Sequence, residues 1–226
     1  LHSFPTRRSS DLLVFDVKDQ KEDRIDFVIR ADEETKKQYP FDFVFTIRYS
    51  LEGMKLLVEY LVQNLSGDPM FFGVGGHTGF NVPLEEGDSF EDYSVEFSKA
   101  ASPTRVVMTE DVHVSGIRED YPLEDGTKIR LHHDLFDHDA VVLENMDHTM
   151  TIRSASGKRA VRVSIPNFHY VGFWHAVKKE APYLCIEPWS SLPSRSGVVE
   201  DLAQQGDLIR LEGNATYRNP WTIEII

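Results

Sequence analysis

The feature that most constrains this fold is an alternation of apolar and polar side chains between Phe41 and Leu51. Large apolar residues occupy every second position, and polar residues such as Asp42 and Arg48 lie between them. A period of two is typical of a strand with one buried face. A second apolar run follows the turn at Gly53. The pattern therefore predicts an antiparallel β-hairpin.

Short strand patterns recur along the rest of the chain, separated by turns rich in Gly, Asp and Asn. Helical signals are weak: we expect one helical turn between Ala31 and Gln38 and one short helix between Val198 and Gln205. This rhythm predicts an all-β protein built as a β-sandwich, with residues 13–226 as a single domain. Further strands are predicted at residues 13–17, 24–31, 93–97, 105–108, 128–131, 140–143, 150–154 and 160–165.

The charge and cysteine content exclude several kinds of partner. With 24 Lys and Arg against 37 Asp and Glu, the formal net charge is −13, so nucleic acid is not an expected partner. The single cysteine, Cys185, excludes an internal disulfide framework and a thiolate-rich metal site. No run approaches the roughly 18 apolar residues that span a bilayer. We therefore expect a cytoplasmic protein with no membrane partner.

The first twelve residues, LHSFPTRRSSDL, have neither strand nor helix periodicity and contain no apolar core of a signal peptide. We interpret residues 1–12 as a non-native leader and leave them out of the fold prediction. We also expect that the natural chain extends further upstream.

The stretch GVGGHTGFNVPL, residues 73–84, presents a lone histidine, His77, after three glycines. Glycines permit backbone angles closed to other residues and allow a ligand to approach closely. His77 is therefore a candidate functional group at the exit of a strand. The alternative is a glycine-rich turn whose histidine caps a neighbouring carbonyl.

A carboxylate, Glu187, ends the apolar run of YLCIEPW. Burial raises the pKa of a carboxylate and makes it a better base. Glu187 is therefore a candidate general base. The alternative is a glutamate at a strand end that pairs with a surface Arg or Lys.

The segment HHDLFDHD, residues 132–139, carries imidazole and carboxylate groups that could suggest a metal. If the segment were a strand, His132 and His133 would point to opposite faces, and no helical metal-ligand spacing occurs. We therefore predict no metal site and interpret the segment as a solvated loop with one aspartate facing a cleft.

Several motifs occur in one order between Leu13 and Ile226: QYPFDFVFTIRYSLEGMKLLVEYLVQN, GGHTGFNVPL, FEDY, LFDHDAVVL, YVGFWH, YLCIEPW and WTIEI. In these motifs the chain resembles the aldose 1-epimerase (galactose mutarotase-like) family. The resemblance implies a large, twisted antiparallel β-sandwich, the galactose mutarotase-like supersandwich. It also implies interconversion of the α and β anomers of a free aldose, with no metal or organic cofactor.

The resemblance further implies roles for individual residues. His77 matches the family's general acid, and Glu187 matches its general base. An aspartate that holds sugar hydroxyls falls at Asp139, which we favour because it directly precedes the strand AVVL, although a shift of two residues would make it Asp137.

Other parts of the family's site correspond less completely. Asn81 of the histidine motif and Trp189 are expected to contact the substrate, although Thr78 stands where a proline is commoner. Four aromatic residues could pack against the apolar face of a sugar or belong to the core: Phe80, Phe173, Trp174 and Trp189. The family also supplies an arginine and a second histidine from strands that would precede Leu13, so these N-terminal strands are expected to be missing and the chain as written is expected to be a weak enzyme.

The function expected from these residues is anomer interconversion by acid–base catalysis through ring opening. We expect the acid and the base to lie on opposite sides of the sugar in a concave site, several Å apart. The alternatives are a non-catalytic carbohydrate-binding or sugar-sensing module and a hexose-6-phosphate mutarotase, which could use Lys178, Lys179 and Arg195. Glycoside hydrolysis would require two flanking carboxylates instead. The aldose used and the oligomeric state stay open.

Overall fold

The computed structural model describes residues 13–155 and 157–226, so the predicted leader lies outside the described residues. The described part of the chain forms seventeen strands and very little helix. The first nine strands are β1 (Asp16–Lys18), β2 (Arg24–Arg30), β3 (Phe43–Glu52), β4 (Lys55–Asn64), β5 (Met70–Phe72), β6 (Thr78–Asn81), β7 (Tyr93–Phe97), β8 (Thr104–Met108) and β9 (Val114–Asp120). The other eight are β10 (Lys128–Arg130), β11 (Val141–Glu144), β12 (Thr149–Ser154), β13 (Ala160–Ser164), β14 (Tyr170–Trp174), β15 (Tyr183–Trp189), β16 (Ile209–Leu211) and β17 (Thr216–Ile225).

Helix is confined to three short segments of the described residues: α1 (Glu33–Lys36) and two 3-10 turns at Phe90–Asp92 and His133–Phe136. The predicted helical turn after Ala31 is confirmed, and the Asp32 carboxylate caps it by accepting from two backbone N–H groups. Within the described ranges, no helix combines the length and hydropathy needed to cross a lipid bilayer.

The helix predicted between Val198 and Gln205 is wrong. The segment forms turns, and Gln204 and Gln205 both donate to the carbonyl of Asp201 without extending into a helix. Val199 is fully exposed, so no apolar face anchors the segment. Short helices are unstable without such packing.

Among the described residues, the chain divides into two compact units, one made of residues 13–70 and Leu211–Asn219, the other of Phe71–Arg210 and Pro220–Ile226. The single-domain interpretation therefore stays a prediction. The boundary between the units runs through β5, β16 and β17.

In the first unit, the strand order is β1-β2-β3-β4, followed by the first part of β17. The predicted hairpin is confirmed, because β3 and β4 pair antiparallel over their full lengths with Ile47 opposite Tyr60. Its apolar face buries Val58, Tyr60 and Val62.

The opposite face of this hairpin carries buried charges. Asp26 on β2 accepts two hydrogen bonds from Arg48 on β3, of 2.9 and 2.8 Å. Glu59 on β4 is buried too and accepts from Arg218. The Arg48 guanidinium, with help from Arg24, lowers the pKa of Asp26 to about 2. The paired arginines thus favour the ionised form of Asp26.

In the second unit, two antiparallel sheets face each other. One contains the last part of β17 and then β13-β12-β7-β10, and the other has the order β6-β15-β14-β11-β8-β9. Phe97 of the first sheet meets Phe173 of the second edge to face, with ring centroids 6.3 Å apart. Among the most buried residues are Val95, Ile152 and Val163 from one sheet and Val171, Leu184 and Ile186 from the other. The all-β sandwich prediction is confirmed.

The six-stranded sheet provides the surface on which the candidate site lies. Along β15, Leu184 and Ile186 point into the core, so Cys185 and Glu187 point to the other face. On the neighbouring strand β14, Phe173 points into the core and Trp174 points out. Hereafter we call the side that carries Glu187 and Trp174 the outer face of this sheet.

The ion pair between Asp26 and Arg48 should contribute measurably to the stability of the fold. Asp26→Asn should lower the free energy of unfolding at pH 7 by about 2 kcal/mol, since the carboxylate pKa is depressed by nearly two units. Because the folded pKa lies below the unfolded one, this contribution is present above pH ~4 and is lost as the pH falls toward 2. Urea unfolding at several pH values measures the difference between the two proteins.

The matched control for this measurement is Asp42→Asn, because the ion pair of Asp42 with Lys36 is substantially exposed. Its effect should stay below about 1 kcal/mol at every pH. A loss of equal size in both variants would contradict the assignment of the stabilisation to the buried pair.

Candidate functional site

Two strands far apart in sequence bring His77 and Glu187 together. β6 pairs antiparallel with β15, and a bridge between Gly75 and Trp189 continues the same register. This register sets His77 directly opposite Glu187. The imidazole Nε2 lies 3.4 Å from the carboxylate Oε1. The two predicted catalytic residues therefore form one contacting pair on the outer face.

Two glycines before His77, Gly73 and Gly75, allow the histidine segment to lie close to the segment around β15. A Cβ on Gly75 would lie 2.6 Å from the carbonyl oxygen of Pro188, and one on Gly73 would lie 2.0 Å from the Ser191 hydroxyl. Neither glycine has a positive φ. The expectation of unusual backbone angles is thus wrong at these two positions, and the close approach is made by the protein's own chain. Side chains here would push the histidine segment away from β15.

Pro188 alters the hydrogen bonding next to the pair. Gly76 N–H donates to the Pro188 carbonyl at 3.0 Å, but proline has no N–H with which to return a bond. Two residues further along the chain, Ser190 N–H donates to the Val74 carbonyl at 3.0 Å. The ladder beside Glu187 therefore has one hydrogen bond fewer than a regular antiparallel pair.

The environments of the two groups differ strongly. The Glu187 side chain is 7% exposed and that of His77 is 61% exposed. Burial raises the pKa of Glu187, and His77 and a hydrogen bond from the Trp189 indole partly offset that rise. The ion-pair partner of Glu187 is thus a histidine rather than the surface Arg or Lys of the alternative interpretation. The pair therefore combines a desolvated carboxylate with a solvent-accessible imidazole.

The predicted separation of these groups is wrong. We expected acid and base to stand several Å apart on opposite sides of a sugar, whereas they are in contact on adjacent strands. The reason is the register, which makes the two residues direct cross-strand neighbours. Neighbouring side chains on one face of a sheet lie close together.

Two tryptophans frame the pair. The Trp174 ring lies edge-on to His77, with centroids 5.7 Å apart. Trp189 packs against an apolar cluster that includes Val142 and Leu192. Both indoles project from the outer face, which is the arrangement required for contact with a ligand. Sequence reasoning grouped Trp174 with other aromatic residues and did not single it out.

A glycine opposite Glu187 leaves room beside the carboxylate. Gly172 on β14 pairs with Glu187, and a Cβ there would lie 3.4 Å from the Glu187 Cβ and 3.5 Å from the Trp189 ring. The added atom would make ordinary van der Waals contact with both side chains and fill the space between them. The absence of a side chain at Gly172 therefore keeps the approach to the carboxylate open.

The two candidate aspartates act on different groups. Asp139 is close enough for its charge to raise the pKa of Glu187, whereas the charge of Asp137 acts on His175. Asp139 adopts a φ of 77° directly before β11, and its carboxylate accepts from Ala140 N–H at 2.9 Å. This environment favours Asp139 over Asp137 as the aspartate of the site.

The other predicted contacts lie further away. Asn81 is on the same face of β6 as His77 but four residues along the strand, about 13 Å at the usual rise. Its contact with substrate stays a prediction. Phe173 is buried in the core, and Phe80 points away from His77 on the other face of β6. Neither phenylalanine can meet a sugar held beside Glu187.

The segment HHDLFDHD is only partly the solvated loop that we expected. His133–Phe136 form a 3-10 turn, and Phe136 is completely buried. His132 pairs with Asp134, whereas His133 contacts the buried His175 at 3.1 Å. The two adjacent histidines therefore have separate partners. The turn positions Asp139 at the entry to β11.

Of the cations considered for a phosphorylated sugar, Arg195 lines a cavity together with Arg118, and the use of Lys178 and Lys179 stays a prediction. A cavity of about 280 Å³ begins at Tyr170 and is lined by Arg118 and Arg195. Each arginine already has a carboxylate partner: Arg118 binds Glu144 at 2.9 Å, and Arg195 binds Glu200 at 2.5 Å. Paired cations bind a phosphate weakly, because the phosphate must first displace the carboxylate.

A known family model shows the family to which the chain belongs. The family described as aldose 1-epimerase matches residues 1–201. This chain belongs to the aldose 1-epimerase family. Membership supports a mutarotase-type function acting on a small-molecule sugar.

Relatives of known sequence and structure agree with this family. The plasmid and chromosomal LacX proteins of Lactococcus lactis subsp. lactis are each 29% identical over 218 residues, which is 94% of this chain and 72% of each relative. A galactose mutarotase related enzyme from Lactobacillus acidophilus matches with a TM-score of 0.87 at 29% identity, over 94% of this chain and 71% of that one. A galactose mutarotase-like protein from Lactobacillus casei ATCC 334 matches with a TM-score of 0.86 at 28% identity, over 94% and 73%.

The glycine contact can be tested by stability. Gly75→Ala should lower the free energy of unfolding by about 1–3 kcal/mol, because its Cβ would collide with a backbone carbonyl that cannot move alone. Gly67→Ala is the matched control, since a Cβ there would meet nothing within 4 Å. Chemical denaturation of both variants checks the prediction, and equal stability would show that β6 and β15 do not approach as described.

Proposed function

We propose that this protein is an aldose 1-epimerase in which Glu187 is the general base and His77 the general acid. The observation that carries the proposal is the contact between the two side chains on an open sheet face. Family membership supports the reaction class. The desolvated carboxylate and the accessible imidazole are suited to proton transfer near neutral pH.

Anomer exchange requires two proton transfers, one at each oxygen bonded to C1. The C1 hydroxyl loses a proton while the ring oxygen gains one, and both oxygens are bonded to C1. Two groups in contact can therefore reach both oxygens from the same side. The 3.4 Å contact between Nε2 and Oε1 suits such a concerted transfer, and groups on opposite sides of the sugar are not required.

In the proposed cycle Glu187 starts ionised and His77 carries the proton that it donates. Glu187 takes the proton of the C1 hydroxyl as His77 gives its proton to the ring oxygen. The bond between C1 and the ring oxygen breaks, and the open-chain aldehyde turns about the C1–C2 bond. The former ring oxygen then gives its proton back to His77 and attacks C1 on either face, while Glu187 gives its proton back to the C1 oxygen. The protein ends in its starting state, with no nucleophile and no cofactor consumed.

Neighbouring residues would hold the sugar in this orientation. Asp139, beside Glu187, can accept hydrogen bonds from sugar hydroxyls. Trp174 and Trp189 offer apolar surfaces against which the C–H faces of a sugar ring can pack. A binding function alone would not require an acid in contact with a base, so the pair favours the enzyme over a sugar-sensing module.

Removal of either proton-transfer group should abolish most of the catalysis. Glu187→Gln and His77→Asn should each lower the catalysed rate by roughly 10²- to 10⁴-fold, the usual contribution of general acid–base catalysis. Polarimetry on freshly dissolved α-glucose and α-galactose measures this rate above the spontaneous one. Glucose 6-phosphate in the same assay tests the phosphorylated alternative.

Matched controls are available on the exposed surface. Glu180→Gln and His169→Asn make the same chemical changes at exposed positions and should leave the rate unchanged. Rates near those of the unchanged protein in both pair variants would favour the binding module.

The pH dependence should identify the aspartate of the site. The base acts when ionised, and burial raises its pKa, so the acid limb of the rate profile should lie above that of an exposed glutamate. Asp139→Asn removes a negative charge that raises this pKa further, so the limb should move to lower pH. Asp137→Asn should leave the limb in place. A shift with Asp137→Asn alone would reverse the assignment.

A further inference from the structure

The catalytic pair has a third neighbour that could bind a metal with it. Cys185 lies two residues before Glu187 on the same face of β15. One atom each from His77, Cys185 and Glu187 lie within 4.8 Å of one another. A thiol, an imidazole and a carboxylate thus converge, although His77 is more than one hundred positions away in the sequence.

The types of ligand atom select the metal. Sulfur and imidazole nitrogen favour zinc over magnesium or calcium, which prefer oxygen. Three protein ligands and a free fourth position are typical of an open zinc site. The set therefore has the composition of a zinc site that can also accept water or a sugar hydroxyl.

The distances agree with this composition. Zinc bonds of about 2.0–2.2 Å to nitrogen and oxygen, at a tetrahedral angle, separate those two ligand atoms by roughly 3.4 Å. The observed separation of Nε2 and Oε1 is 3.4 Å. Sulfur, bonded at about 2.3 Å, would stand roughly 3.6 Å from each of them, so its present distances, which are at most 4.8 Å, need to shorten by up to about 1.2 Å. Side-chain rotation can supply such a shift.

The surroundings leave access to these atoms. Gly79 pairs with Cys185, and even a Cβ there would lie 3.6 Å from the sulfur. The imidazole of His77 is largely exposed. Burial raises the pKa of the Cys185 thiol to about 12, so the sulfur carries its proton in the metal-free protein. A coordinated metal displaces that proton to solvent.

We infer that His77, Cys185 and Glu187 form an inhibitory zinc site that overlaps the catalytic pair. Bound Zn²⁺ occupies the lone pair with which Glu187 accepts a proton and the nitrogen from which His77 donates one. Zinc and sugar therefore compete for the same groups. The inhibition, but not the metal binding, rests on the proposed epimerase function.

Cobalt spectroscopy tests the binding without any activity. Co²⁺ added to the full chain, freed of metal by a chelator, should produce a near-ultraviolet band from sulfur-to-cobalt charge transfer, and Zn²⁺ should remove the band by displacement. Cys185→Ala should abolish the band. Since loss of an outer-shell partner alone weakens metal binding 10- to 100-fold, this variant should bind Zn²⁺ at least about tenfold more weakly.

The segment with adjacent histidines provides the control. His132→Ala removes an exposed imidazole from HHDLFDHD and should leave both the band and the zinc affinity unchanged. Absence of the band in the unchanged protein, or zinc affinity that survives Cys185→Ala and falls with His132→Ala, would overturn the inference.

The rate measurement separates the two proposals. Zn²⁺ should inhibit mutarotation by the unchanged protein, and a chelator should reverse the inhibition. The Cys185→Ala enzyme should need at least about tenfold more zinc for the same inhibition. A cobalt band without sugar turnover would support the metal site and contradict the proposed function, whereas turnover without a band would do the reverse.

Discussion

The site depends on one electrostatic constraint, the burial of the Glu187 carboxylate. Burial disfavours the charged form of this carboxylate, and the His77 imidazole offsets part of that effect. Glu187 is nearly buried, and its ion-pair partner, His77, is held opposite by the pairing of β6 with β15. If that register changed by one residue, His77 would move to the other face. Glu187 would then be buried without its partner, which would favour its neutral form. The register of β6 on β15 and the protonation state of Glu187 are therefore coupled.

The parts of the fold that follow from local pattern could be predicted. The hairpin of β3 and β4 follows from its period of two, and the capped turn of α1 follows from Asp32. β14 has a nearly continuous apolar run and β9 is an exposed edge strand, so neither shows the alternation of a half-buried strand. Local propensity also overestimated the helix after Val198, because propensity does not report whether an apolar face finds a partner.

The candidate site could be predicted residue by residue but not as a geometry. His77 and Glu187 were recognisable from their motifs, yet their contact depends on the order of strands in the sheet, which no local pattern contains. The same limit applies to the proximity of Cys185 to His77, which depends on the pairing of β6 with β15. Asp139 could be distinguished from Asp137 only by the charges that each one faces.

Pro188 makes the two strands of the site unequal in their backbone hydrogen bonding. Because Pro188 donates no hydrogen bond to Gly76, the segment that carries His77 is held to β15 by one hydrogen bond fewer than in a regular antiparallel pair. β15, which carries Glu187, is paired along its other side with β14. Opening of the histidine segment consequently costs less free energy than opening of the strand that holds the base. Backbone amides from Val74 to His77 should exchange with solvent faster than those of β15. A ligand can then enter by displacing His77, while the buried Glu187 keeps its position on β15.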